Sequence, residues 1–133
     1  MKKVIWFICA SLVLSSCSLK PKKGVSDYEK NLMNGYVHGS EDIPLVKSLV
    51  KINSGNVGFN SNSGSIYATT YRSWRDLDQV RDFYIRTMPQ LGWTMIQETL
   101  EGFIYVRGKE KVEMTFAQEN GQNFVRFLIS SGV

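Results

Sequence analysis

Cysteine and histidine are nearly missing from this chain. Of 133 residues, two are Cys (Cys9 and Cys17) and one is His (His38). His38 sits in a Gly-rich stretch that reads as solvated loop, which argues against a Ser-His-Asp triad and against a zinc site built on several histidines. Charge of one sign is also scarce, with 16 Lys and Arg against 12 Asp and Glu. That balance gives no electrostatic case for nucleic-acid binding. Nor is there a hydrophobic run of the roughly 20 residues that a spanning helix needs. The longest, Val4 to Leu14, covers 11 residues with Ser11 its only polar member. The length allows one domain rather than two.

What is present at the N-terminus is an address. Lys2 and Lys3 precede the apolar run, and Leu14-Ser15-Ser16-Cys17 follows it. A basic segment, a short apolar core and small residues before a cleavage point form a signal peptide. The segment resembles a bacterial lipoprotein signal, in which a lipobox of an aliphatic residue, two small residues and Cys is cut before the cysteine. Leu14, Ser15 and Ser16 match the lipobox, and Cys17 matches the lipidated residue. The resemblance implies a diacylglycerol thioether on the Cys17 sulfur, with acylation of the new amino group in many Gram-negative bacteria. Each buried CH₂ contributes about 0.8 kcal/mol, so two or three acyl chains anchor stably where one would not. Ser18, in place of an Asp retention signal, leans the expected location to the periplasmic side of the outer membrane rather than the inner membrane. Removing residues 1–16 leaves 117 residues with 14 basic against 12 acidic side chains. Cys9 leaves with the signal, so no disulfide, Cys-based metal site or Cys nucleophile is expected.

Residues 17–40 read as the lipidated cysteine and a flexible linker. Lys20, Pro21, Lys22 and Lys23 give reach rather than a fold, although lysines beside anionic headgroups attract them at about 1 kcal/mol each. Asp27 to Asn34 has the composition for one or two helical turns, with Tyr28, Leu32 and Met33 as weak apolar anchors.

Residues 41–133 read as the globular domain. Val46 to Ile52 is a short apolar stretch, and Val57 and Phe59 sit in a Gly, Asn and Ser-rich run that reads as turn, strand, turn. Ser65 to Arg72 is rich in β-branched and aromatic residues and predicts a strand. Leu77, Val80, Tyr84, Met88 and Leu91 recur at helical spacing, with Phe83 widening the stripe. Ser73 is the expected N-cap, with Asp76 completing a box. Arg75, Asp78, Arg81, Asp82 and Arg86 should be solvated. Pro89 predicts a kink or an end near Thr87, and Gly92 suits a C-terminal cap. Four strands then follow at Trp93–Thr99, Phe103–Arg107, around Val112–Phe116 and at Phe124–Ile129, the last two joined by an Asn120-Gly121 turn signal. The predicted fold is α+β: a single two-layer domain with one main amphipathic helix packed on an antiparallel β-sheet.

The segment Asp82-Phe83-Tyr84 through Met88-Pro89-Gln90-Leu91-Gly92-Trp93 resembles the "FY…LPxLGW" stretch of small bacterial lipoproteins of uncharacterised function, with Met88 in place of Leu. The resemblance implies structural roles only: Gly92 turns the chain back and Trp93 caps the core.

Chemistry is sparse elsewhere. The acids Asp76, Asp78 and Asp82 suit a helix N-terminus, and the Glu98–Glu101 and Glu110–Glu113 pairs suit solvated hairpins. No catalytic residue, metal site or cofactor is expected. Trp74 and Arg75 stand out as candidate partner contacts, because Trp and Arg at an exposed corner are typical of binding hot spots; the more ordinary reading makes Trp74 a hydrophobic staple onto the helix. The expected function is a membrane-anchored envelope lipoprotein that is not an enzyme. It would act as an interaction or assembly module with an envelope protein partner and no nucleic acid. The alternative is a carrier for a lipid or peptidoglycan fragment.

Overall fold

The computed structural model describes residues 26–132. The lipobox Leu14, Ser15 and Ser16, and Cys17 itself, lie outside the described residues. The elements run α1 (Asp27–Leu32), β1 (Met33–Tyr36), β2 (Pro44–Val46), β3 (Leu49–Lys51), β4 (Val57–Ser61), β5 (Gly64–Ser73), α2 (Leu77–Gln90), β6 (Thr94–Glu98), β7 (Gly102–Arg107), β8 (Glu110–Glu119) and β9 (Gln122–Ser131). Seven strands form one antiparallel sheet in the order β3-β5-β9-β8-β7-β6, with β4 also on the outer edge of β5. The architecture is the expected α+β layout, with the main helix on one face of an antiparallel sheet.

Period-two alternation decides which face is covered. Val112, Met114 and Phe116 of β8 and Val125, Phe127 and Ile129 of β9 point toward α2 and are buried. Their neighbours, such as Thr115, Arg126 and Leu128, point to the open face. On that face β4 places Val57 opposite Ala68 and Phe59 opposite Ile66, and Val57, Phe59 and Ile66 remain exposed.

The β8–β9 hairpin closes through Asn120 and Gly121, both at positive φ (51° and 74°), between the paired residues Glu119 and Gln122. Two such residues give the type I′ geometry whose twist matches the strands, as the Asn-Gly signal predicted.

Helix α2 buries Val80, Phe83, Tyr84, Thr87 and Met88; of the predicted stripe, Leu77 is only half-buried, and half-buried Leu91 is the C-cap residue just past the helix. Three expectations about it change. The Ser73 hydroxyl does not cap the helix: Ser73 ends β5, and Asp76 is the N-cap residue, without a side-chain hydrogen bond. Pro89 does not end the helix near Thr87, because the helix continues to Gln90. A proline in the last turn forfeits one intrahelical bond there, and the end is then closed by two others. Gly92 N–H donates to Pro89 O, and Trp93 N–H donates to Met88 O. With Gly92 at φ 84° this is a Schellman motif, and buried Trp93 and Met88 supply its hydrophobic contact. Arg81 is not a solvated residue either. Its guanidinium lies over Phe103 and Phe116, at 4.4 and 5.1 Å from the ring centres, and donates to the carbonyls of Thr99 and Leu100.

The boundary placed at residue 40 also moves. Residues 26–40 are part of the folded body. Ser26 caps α1, accepting from Glu29 N–H, and β1 pairs with β2. Glu29 is buried, with a carboxylate oxygen 3.6 Å from Arg86 Nε and the other accepting from Gln90 Nε2. Ser26 N–H donates to Gln90 Oε1 at 2.8 Å. Val37, Ile43 and Val46 join the same core as Tyr71, Tyr84 and Phe127. Two core tyrosines hold this segment by its backbone. Tyr84 Oη donates to Pro44 O at 2.7 Å, and His38 N–H donates to Tyr71 Oη at 2.9 Å. Gly39 is required where the segment crosses the sheet, since a Cβ there would come within 2.5 Å of the Tyr67 side chain.

Candidate functional site

One concave surface among the described residues is an open groove of about 470 Å³. Helix α1, the β2–β3 turn and the N-terminal half of α2 enclose it. The polar contacts that dock α1 on α2, from Ser26 and Glu29 to Arg86 and Gln90, lie toward the C-terminal half of α2, and the groove opens toward its start.

Its floor is apolar, formed by Leu32, Val46, Val80 and Phe83. Two aromatic side chains stand at its sides, Tyr28 from α1 and Trp74 from the β5–α2 corner, 67% and 65% exposed. Lys47, Arg75, Arg86 and Asp82 supply charge. The Arg75 guanidinium carbon lies 5.0 Å from the Trp74 ring centre, a cation–π contact.

The backbone of this corner is firmly held. Trp74 N–H donates to Ser48 O at 3.2 Å. Arg75 N–H donates to Ser73 Oγ, which in turn donates to Arg75 O at 2.9 Å. Asn123 Nδ2, from the start of β9, also donates to Arg75 O, at 3.0 Å. A Ser hydroxyl bonding two residues on is the local turn chemistry of that residue type. Ser73 therefore shapes the corner instead of capping the helix, and Trp74 projects outward instead of stapling.

Of the residues singled out from sequence, Trp74 and Arg75 come together at this groove. The acids do not converge. Asp76 and Asp78 are exposed at the start of α2. Glu98 faces Arg81 at 3.9 Å, Glu110 pairs with Arg107 at 2.9 Å, and Glu113 pairs with Lys111 at 2.6 Å. His38 is exposed, its ring edge-on to Tyr67 at 6.1 Å. Among the described residues no three His, Cys, Asp or Glu side chains gather as metal ligands would, and no helix is long and apolar enough to cross a membrane.

The sequence reading gave Asp27 to Asn34 one or two helical turns with Tyr28 as a weak apolar anchor, but it left them in the linker and did not place Tyr28 at a site with Trp74. A signal was there: Ser26-Asp27-Tyr28-Glu29 has the spacing of a capping box. No protein-family model, curated protein or solved structure matches the chain.

Proposed function

We propose that this protein is a lipid-anchored interaction module of the bacterial envelope, held by a diacylglycerol on Cys17 at the periplasmic face of the outer membrane, and that it engages an envelope protein through the groove beside Trp74. It works by binding and carries out no reaction. The observation that supports this reading is the pair of exposed aromatic side chains, Tyr28 and Trp74, at the sides of one groove with Arg75 stacked on the indole. Trp, Tyr and Arg are the residue types that dominate binding energy at protein interfaces. The held backbone under Trp74 lowers the ordering cost of association.

A carrier for a lipid or peptidoglycan fragment would need an apolar cavity between helix and sheet. The side chains there, among them Tyr84, Met88, Tyr105 and Phe127, are fully buried against one another. This packing favours the surface groove over an internal ligand.

The test uses the full-length protein in its native membrane. A photocrosslinking amino acid at position 74 should give a discrete protein adduct, and the same group at the exposed hairpin residue Lys109 should give none. Cys17→Ser should release the protein from the membrane and remove the adduct. Equal crosslinking from both positions, or none from position 74, would refute the groove as the contact. Mass spectrometry showing an unmodified Cys17 thiol would refute the anchor.

A further inference from the structure

We propose that the groove takes an acidic segment of a partner protein, seating an apolar side chain on the floor between α1 and α2 and a carboxylate against Arg75. This rests on the interaction-module reading and names the chemistry of its partner.

Charge is the first argument. Three cations, Lys47, Arg75 and Arg86, line the groove against a single acid, Asp82. Arg86 is engaged by Glu29 at 3.6 Å. Lys47 and Arg75 form no ion pair among the described residues. The Arg75 guanidinium makes no side-chain hydrogen bond among them either. Its contact is with the Trp74 ring, and stacking leaves the in-plane N–H donors open. A planar fork of donors held in this way suits a carboxylate, which it can bind with two parallel hydrogen bonds.

Shape is the second argument. The apolar floor asks for an apolar group from the ligand, so a simple anion would leave it wet. A bilayer surface is too flat to reach a concave floor behind Tyr28 and Trp74. One face of Trp74 is taken by Arg75, which removes half of the stacking platform that a sugar ring would use. An extended peptide with an apolar side chain beside an acid satisfies floor and wall together. The groove volume, about 470 Å³, suits a short segment of this kind.

The experiment is a selection from a random peptide display library on the full-length lipidated protein, reconstituted in phosphatidylcholine nanodiscs. Selected peptides should combine Asp or Glu with a large apolar residue. Their affinity should fall with added salt and drop about tenfold or more with Arg75→Glu, the loss of a charge-assisted contact and its reversal. Repeating the selection on Arg75→Glu should enrich basic residues in place of acidic ones. Both side chains of this corner are exposed, so an unchanged thermal transition is expected for the variant. Peptides without acids, or peptides that bind Arg75→Glu equally well, would overturn the proposal. So would displacement of the selected peptides by phosphatidylglycerol vesicles, which would reassign the cations to a membrane. A crosslink from position 74 that persists alongside any of these results would leave the interaction module standing and remove only its acidic occupant.

Discussion

Tyr84 and Tyr105 are both completely buried, yet their hydroxyls have different fates. Tyr84 Oη donates to Pro44 O, whereas Tyr105 Oη finds no partner among the described residues. A buried polar atom without a partner costs about 1–3 kcal/mol, and a made hydrogen bond returns about 1 kcal/mol. Tyr105→Phe should therefore raise stability by about 1 kcal/mol, and Tyr84→Phe should lower it by about the same, as read by urea denaturation. Burial also pushes the Tyr105 hydroxyl up to about 12, with Glu98 adding to the shift and Arg81 opposing it. Burial raises the hydroxyls of Tyr84 and Tyr71 as well. An unfolded phenol ionises near 10, so the unfolded chain loses its protons first. This part of the stability is fully present below about pH 10 and is lost as the pH climbs toward 12. Denaturation midpoints measured from pH 8 to 12 should fall over that interval, and fall less in Tyr105→Phe. At this scale Trp93 was legible from sequence because an aromatic after a helix-ending Gly has few places to go but the core. Trp74 was ambiguous, because whether it staples or projects depends on the Ser48 and Asn123 bonds that long-range folding brings to the corner.

Among the elements, α2 was the most legible and its ends the least. The apolar stripe is a sum over four turns, so single exceptions do not erase it. An end is decided by one or two hydrogen bonds, and here Gly92 and Trp93 complete bonds that outweigh the missing Pro89 donor. Gly92→Ala should cost about 1–2 kcal/mol, since a Cβ at φ 84° pays the left-handed penalty. The open space around that position, where the nearest atom to a Cβ is 3.7 Å away, makes the thermal shift of this variant a clean measure of the backbone term. The helical turns of α1 were legible in its composition, but their docking on α2 was not. Two turns bearing three charged residues look like tether until Glu29 is seen against Arg86 and Gln90. Glu29→Ala should therefore speed amide exchange over residues 27–36 while leaving β8 and β9 protected, because the sheet core does not depend on that carboxylate. Uniform loss of protection in both regions would show that α1 and the sheet open together.

For the whole molecule, the meander β6 to β9 was readable because each hairpin is local and announced by its turn. The closure of the sheet was not. Strand β9 lies between β8 and β5, and its ladder with β5 joins residues as distant as Ser65 and Ser131, 66 positions apart. Nothing local in either strand names the other as its partner. Phe127, which packs edge-on to both Tyr71 and Tyr84, ties this ladder to helix and N-terminal segment at once. Phe127→Ala should cost about 3–5 kcal/mol by calorimetry, the range for emptying a large aromatic site.

The central place of β9 also sets an order of events. While the chain is being made, β5 has its outer neighbours β3 and β4 early but must wait for residues 122–131 before its inner edge is covered. Until then, β5 and β8 both present unpaired backbone, and a chain that lingers at that point offers two sticky edges to any neighbour. A nascent chain held unfolded until residue 131 has emerged avoids this exposure, whereas one stalled near Gly121 does not.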